Sequence, residues 1–478
     1  MLLPKFALVT ALLSFYLPNG GAEGFFLQND SPLAEVRISS QPGRAVPPGF
    51  MGLSHEWGDT MKMMGYSKTG TNMVYRQLLN NLTAYGSDPI QLRIGGNSTD
   101  NTGRPSGDRV KPFAEIYSSL HSRFILGVNL GSGDLALSQN QVAFYLSEMP
   151  KGAIEAFEIG NEPDHYPNRK MRPAPYAVND YLQDFDTWKQ GILPQLPKGI
   201  LLSGPSWANV AMVPNIGNFV SREAPSLGVV SLHFYTDSPY SNHPLDYLLK
   251  PRAATSGPGI FAPAIAEAHL HHIPLRLNEF NSFYGYGVHG ISDAFSSALW
   301  SIDTMFEYVN AGVDGINWEA DGAGFFTPFS FTRTTSGEMN EFTLKSAAPL
   351  YYGLLFFQAA TGKGARLLPV EVETHANLKA WATIDAGGQT RLAIINKDET
   401  AQGNVAVRMS GYRSATITRL LAPSYTSLNG VTFGGRTLDG SLDGKFVGAE
   451  KTEKLQSASG DFKISMPISS AALVVFSK

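Results

Sequence analysis

The chain of 478 residues contains no cysteine. Disulfides, thiolate nucleophiles, cysteine-ligated metals and cysteine-borne lipid anchors are therefore excluded. Charge is scarce as well: Asp, Glu, Lys and Arg make up 16% of the residues, and the formal net charge is -4. Such a chain has no basic excess to hold nucleic acid or an anionic membrane surface, so neither is an expected partner. With 43% hydrophobic residues it reads as globular rather than disordered. Past the N-terminus no apolar run is long enough to cross a bilayer, so no membrane span is expected. The longest apolar stretch, Phe6 to Leu17, has 12 residues, follows Lys5 and precedes Asn19-Gly20-Gly21-Ala22. That order of charged, apolar and small residues reads as a signal peptide over 1–22, and places the mature protein in a secreted or periplasmic setting. A Gly-rich phosphate fingerprint is missing after the first predicted strand of the main domain, which argues against a dinucleotide-binding fold, and no cofactor is expected. His233 and the adjacent His271-His272 lack the spacing of a metal site, so no metal is expected either.

What is present is a rhythm. Short apolar runs at 50–54, 90–94, 124–128, 156–159, 200–203, 229–233, 273–277 and 315–318 alternate with segments of helical period at 74–84, 177–190, 247–249, 262–271 and 291–310. Eight strands interleaved with helices over about 300 residues have the size and order of a (β/α)8 TIM barrel, with a doubly wound open sheet as the alternative. After Ala360 the helical period fades, and alternating strands separated by Gly387-Gly388, Asn429-Gly430 and Gly434-Gly435 predict a C-terminal β-sandwich. The expected domains are a barrel over 48–358 and a sandwich over 359–478. An N-terminal segment, 23–47, is expected to pack its strand at 33–38 onto the sandwich.

Two strings carry chemistry. Glu162 stands in Phe157-Glu158-Ile159-Gly160-Asn161-Glu162-Pro163, and Glu279 in Arg276-Leu277-Asn278-Glu279-Phe280-Asn281. Each is expected to close a barrel strand, the fourth and the seventh, at the C-terminal face where barrel enzymes keep their reactive groups. Two carboxylates delivered to one cleft suit acid/base-assisted cleavage of a glycosidic bond. Glu162 is assigned as general acid/base, Glu279 as nucleophile, and Asn161 as a partner of the sugar 2-hydroxyl. Glu158 shares the parity of Glu162 and is expected below it, inside the barrel.

Around these strings the chain resembles a known family. Phe-Glu-Ile-Gly-Asn-Glu-Pro is similar to the acid/base motif of clan A glycoside hydrolases. Phe50-Met51-Gly52-Leu53-Ser54-His55-Glu56, Leu92-Arg93-Ile94-Gly95-Gly96-Asn97-Ser98-Thr99-Asp100 and Asn281-Ser282-Phe283-Tyr284-Gly285-Tyr286-Gly287 resemble motifs of glycoside hydrolase family 79, the β-glucuronidase and heparanase group. The resemblance implies a retaining exo-β-glucuronidase whose partner is a glycan or small glycoside. It implies that Glu56 and Asn97 bind sugar hydroxyls and that Tyr235 sits beside the nucleophile. It also implies that Tyr284, with the backbone N–H groups of Gly285 and Tyr286, receives the uronate carboxylate; glycine lets such donors approach an anion.

One loop departs from the family. The segment Asn317-Trp318-Glu319-Ala320-Asp321-Gly322-Ala323-Gly324-Phe325-Phe326 has phenylalanines where family glucuronidases carry a tyrosine. Glu319 and Asp321 are candidate substrate-binding residues, but they add negative charge where a uronate carboxylate is expected. If both point inward, a neutral β-linked sugar fits better. Compensating cations are sought in Arg104, Arg109, Lys170 and Arg333. A non-catalytic carbohydrate-binding protein is the reading from another class.

Overall fold

The computed structural model describes residues 31–84 and 88–478. The signal peptide expected over 1–22 lies outside the described residues. Among those described, no helix is long and apolar enough to cross a membrane.

Eight parallel strands close a barrel in chain order: Met51–Glu56, Gln91–Gly95, Phe124–Val128, Ile154–Ile159, Leu201–Trp207, Leu227–Asp237, Leu275–Phe283 and Gly315–Glu319. All eight coincide with the apolar runs, because a strand covered by helices outside and side chains inside is buried on both faces and reads as nearly continuous hydrophobic sequence. The helices over Met73–Thr83, Val178–Ile192, Pro251–Leu270 and Phe295–Ala311 answer to the helical periods, and Tyr247–Leu249 is a single 3-10 turn. Helices over Gly107–Leu120, Leu135–Glu148, Ile216–Glu223 and Pro349–Thr361 were not expected. Pro112 lies within the first of these, and every residue of the last is buried, so it has no polar face to generate a period.

Beyond the barrel, besides two two-stranded hairpins, stand two larger sheets among the described residues. One orders Val370–Thr374, Ala34–Ile38, Gly403–Arg408 and Asp461–Met466. Ala34–Ile38 thus runs antiparallel to the first of these and parallel to the third. The other is built on Leu378–Ile384, Thr390–Asn396, Ser470–Ser477 and Ser414–Leu421. Val36, Ile394, Val405, Ile464 and Val474 belong to the apolar core of this β region. Contacts to the barrel are partly ionic: Lys397 and Asp303, both fully buried, pair at 2.6 Å, and the Trp381 indole donates to Asp303 at 2.9 Å. A cleft of about 660 Å³ opens between the domains beside Arg44, Glu307 and Trp381, away from the glutamates.

Candidate active site

The interior of the barrel is polar in layers. On the eighth strand Asn317 faces inward and accepts from Arg276 Nε at 2.6 Å. Above it Arg93 is fully buried at the centre. Its guanidinium donates to Glu158 at 2.9 and 2.6 Å, to Asn161 Oδ1 at 2.6 Å, to Glu279 at 2.8 Å and to the Ser54 hydroxyl at 3.1 Å. Five rigid donors allow one arginine to tie strands one, two, four and seven together. Burial alone would lower its pKa, but the charges of Glu158, Glu279 and Glu319 raise it, so it stays a cation. Glu158 lies in this lower layer. Burial pushes its carboxyl up, and Arg93 and the Asn278 amide more than reverse that.

Glu162 and Glu279 share the layer above. Neither closes its strand as expected. Glu162 lies three residues past Ile159 with a left-handed φ of 48°. Glu279 lies inside a strand that runs on to Phe283, where the register shifts against both neighbouring strands. Such a bulge re-aims a side chain next to an active site. The pairing of the seventh strand with the sixth continues to Phe283 and Asp237, which is why the strand does not stop at Glu279.

The two carboxylates are brought together with His233. One ligating atom from each of the three lies within 4.8 Å of the others. His233 Nδ1 stands 3.2 Å from Glu162 and 3.7 Å from Glu279, while its Nε2 faces an Arg93 N–H at 3.4 Å. The Arg93 donor leaves the ring proton on Nδ1, which donates to Glu162. Burial pulls the His233 pKa down, but the Glu279 charge and the Glu162 hydrogen bond outweigh it and produce a net rise. On its other oxygen Glu162 takes a hydrogen bond from Arg169, which also donates to the Asn161 carbonyl at 3.1 Å. Burial would raise the Glu162 carboxyl. His233 and Arg169 reverse this and hold it down to about 2. Tyr235 donates its hydroxyl to Glu279 at 2.8 Å.

The other expected site residues are distributed around the rim. Asn161 is fixed by Arg93 and donates to Asn97 Oδ1 at 3.2 Å. Glu56 accepts from the backbone N–H groups of Asn97 (2.8 Å) and Ser98 (2.9 Å) and from the Ser98 hydroxyl. Gly96 is required there, since a Cβ would collide with the Glu56 carboxylate. Burial, then the nearby Glu279 charge, raises the Glu56 carboxyl despite these donors. Tyr284 and Tyr286 are exposed, and the Tyr284 hydroxyl lies 2.9 Å from that of Ser238. Gly285, Tyr286 and Gly287 all have left-handed φ values, 64°, 78° and 81°. The N–H groups of Gly285 and Tyr286 make no hydrogen bond among the described residues.

In the departing loop Glu319 and Asp321 separate. Asp321 turns into its own loop and accepts from Ala323 and Gly324 N–H at 2.9 and 3.1 Å. Its carboxylate is thus engaged by its own backbone rather than held open for a sugar. Glu319 shares the inward parity of Asn317 and is buried, and neither carboxyl oxygen has a well-formed hydrogen bond among the described residues. Phe326 packs on Tyr235 with ring centres 6.1 Å apart, and Phe325 N–H donates to the Tyr286 carbonyl at 2.7 Å. The loops after strands seven and eight are therefore tied together.

None of the cations sought from the sequence reaches the glutamates. Arg109 stacks over Trp57 at 4.2 Å, Arg104 over Phe144 at 5.0 Å, and Lys170 and Arg333 are exposed. The cations that do reach them, Arg93 and Arg169, were given no role from the sequence, and His233 was weighed only as a metal ligand. Arg93 had a signal: an arginine flanked by Leu92 and Ile94 in a buried strand must find partners inside. So did His233, which shares the parity of Tyr235. Arg169 reaches back from an irregular loop, where no periodicity marks it.

A closed barrel whose fourth-strand and seventh-strand glutamates meet at this distance defines the class: a glycoside hydrolase of the retaining (β/α)8 kind. Within that class the resemblance is to family 79. The sequence model of the glycosyl hydrolase family 79 C-terminal beta domain matches residues 380–473. A β-glucuronidase of Aspergillus niger is 24% identical over 482 residues, covering 84% of this chain and 86% of that protein. A β-glucuronidase of Neurospora crassa is 23% identical over 433 residues, covering 76% and 74%. Among solved structures, the 4-O-α-L-rhamnosyl-β-D-glucuronidase of Fusarium oxysporum 12S superposes with a TM-score of 0.73 at 17% identity, covering 92% of this chain and all of that one. The family 51 arabinofuranosidase of Xanthomonas axonopodis pv. citri shares the fold at a TM-score of 0.65 and 14% identity, covering 93% of this chain and 99% of that one.

Proposed function

We propose that the protein is a retaining exo-β-glucuronidase. The observation that carries the mechanism is that one carboxylate oxygen of Glu162 and one of Glu279 lie within 4.8 Å of each other, a close approach of the kind retaining enzymes show. Retaining enzymes hold their carboxyls about 5–5.5 Å apart, whereas inverting ones leave about 6.5–9.5 Å for a water between them. Glu279 attacks the anomeric carbon as the aglycone departs, and a glycosyl-enzyme forms. Arg93 and Tyr235 hold its two oxygens apart and aim them. Glu162 donates its proton to the leaving oxygen, then takes one from the water that attacks the intermediate. In the resting arrangement His233 and Arg169 favour its ionised form, which suits the base step. For the acid step Glu162 has to take up a proton from solvent first, so His233, the stronger influence, and Arg169 both have to loosen their hold on its charged form. The β-glucuronidase relatives support a uronate in the sugar site, with the free N–H groups of Gly285 and Tyr286 as its anion donors. The apolar stretch near the N-terminus supports export before the enzyme acts.

Glu319 favours a second reading. An inward acid beside the sugar site would repel a uronate if it were ionised, leaving a neutral β-glycoside as substrate. Hydrolysis of p-nitrophenyl β-D-glucuronide, set against the corresponding glucoside and galactoside, separates the two. Preferred release from the glucuronide is expected. Turnover of a neutral glycoside with none of the glucuronide would establish the second reading.

A further inference from the structure

Glu319 is 4% exposed, and neither of its carboxyl oxygens has a well-formed hydrogen bond among the described residues, the nearby Ser54 hydroxyl favouring the charged form less than burial and the surrounding acids oppose it. Its surroundings are unusually acidic. From its own loop it feels Asp321, from the seventh strand Glu279, and from the first strand Glu56. Tyr235 on the sixth strand is within its field. His55 on the first strand is neutral: burial pulls its pKa to about 4, and its ring bridges the Ala320 carbonyl and the Tyr75 hydroxyl. Arg93, a cation within its field, has its donors committed to Glu158, Glu279, Asn161 and Ser54. An ionised carboxylate in that position would be buried, unpaired and repelled from three sides, so the group neutralises instead.

We propose that Glu319 works as an un-ionised carboxylic acid whose O–H is the hydrogen-bond donor to the substrate's uronate carboxylate, in the place of the tyrosine hydroxyl that this loop lacks.

The inference rests on the glucuronidase reading and removes the objection that Glu319 raised against it. Burial first, then the charges of Glu279, Glu56 and Asp321, hold the carboxyl well above its ordinary range. A neutral acid facing a carboxylate forms a charge-assisted O–H···O⁻ bond, stronger than one between neutral groups. The backbone also joins the two loops. Asn281 donates one amide to the carbonyls of Glu319 (3.1 Å) and Phe326 (3.2 Å), which fastens the end of the eighth strand to the seventh. The loop Tyr284-Gly285-Tyr286 follows directly on that seventh strand, and Phe325 N–H joins it to the loop after Glu319. Selection of the anionic sugar is then sensitive to pH. Once Glu319 loses its proton, donor becomes acceptor and attraction becomes repulsion.

The test is KM for p-nitrophenyl β-D-glucuronide across pH, in the wild type and in Glu319→Gln, with difference infrared spectra of the same two proteins. The expected result is a wild-type KM that rises on the order of tenfold per pH unit above the Glu319 pKa. Glu319→Gln keeps a neutral donor, so that rise is expected to vanish. The spectrum of the wild type minus that of Glu319→Gln at neutral pH should contain the carbonyl stretch of an un-ionised carboxyl. A wild-type KM that is flat with pH, or that rises equally in Glu319→Gln, overturns the inference while leaving the glucuronidase reading intact. The lack of an un-ionised carboxyl band overturns it in the same way. Failure of the wild type to hydrolyse any glucuronide sinks both. If Glu319→Gln does not fold, the wild-type pH dependence and infrared band still decide the matter.

Discussion

The two sides of the barrel mouth hold acids under opposite conditions. On the side of strands four and six the two glutamates that face the barrel interior have a cation or a ring N–H: Glu158 has Arg93, and Glu162 has Arg169 and His233. On the side of strands eight and one, Glu319 has no well-formed hydrogen bond among the described residues, and Glu56 and Asp321 are held by hydroxyl and backbone donors. Glu279 stands between, held by Arg93 and Tyr235. The difference shows how one residue type is given several tasks in one cavity. Acids beside a cation are held below their ordinary range and those without one are raised, Glu319 well above it.

Glu279→Gln removes the group on which both halves converge. A loss on the order of 10⁴-fold or more in kcat on aryl glucuronides is expected from steady-state assay, since no glycosyl-enzyme can form. A loss under tenfold would place the nucleophile elsewhere. Glu162→Ala acts on the paired side alone. It should cost about 10²–10⁴-fold on substrates with poor leaving groups and much less on p-nitrophenyl glycosides, whose departure needs no proton. Equal losses on both would remove Glu162 from the acid role.

Arg169→Gln tests the pairing itself. Arg169 and His233 hold the Glu162 carboxyl down to about 2. Loss of Arg169 raises that pKa, so more of the acid form survives, and the alkaline limb of kcat/KM against pH should move upward. An unmoved or lowered limb would show that Arg169 does not control the proton. The stability linked to this group has a matching sign. A depressed folded-state pKa stabilises the fold above the ordinary carboxylate range and is lost as pH falls towards 2. Arg169→Gln should therefore narrow the gap in melting temperature between neutral and acidic pH. Lys397→Ala, remote from both sides, breaks the buried pair with Asp303. About 3–5 kcal/mol of destabilisation is expected, read as a lower melting temperature, with kcat/KM at 25 °C unchanged.

The strands were legible because burial on both faces writes itself into sequence as apolar runs. The helix over Pro349–Thr361 was not, since burial all round erases a helix's period in the same way. In the site, Glu162, Glu279, Asn161 and Tyr235 could be read because each stands in a motif or at a strand position. Arg169 could not, because its contact with Glu162 exists only once the loop after the fourth strand folds back. Whether Glu319 and Asp321 both turn inward was equally closed to the sequence. Asp321 found backbone N–H groups in its own loop, and Glu319, fixed by the pleat of its strand, had none within reach.

The claim on which the rest depends is double displacement by Glu162 and Glu279. Proton NMR of the first product released from p-nitrophenyl β-D-glucuronide tests it directly, before mutarotation mixes the anomers. The account predicts β-glucuronic acid as the initial product. Initial release of the α-anomer would mean a single inverting displacement and would contradict it.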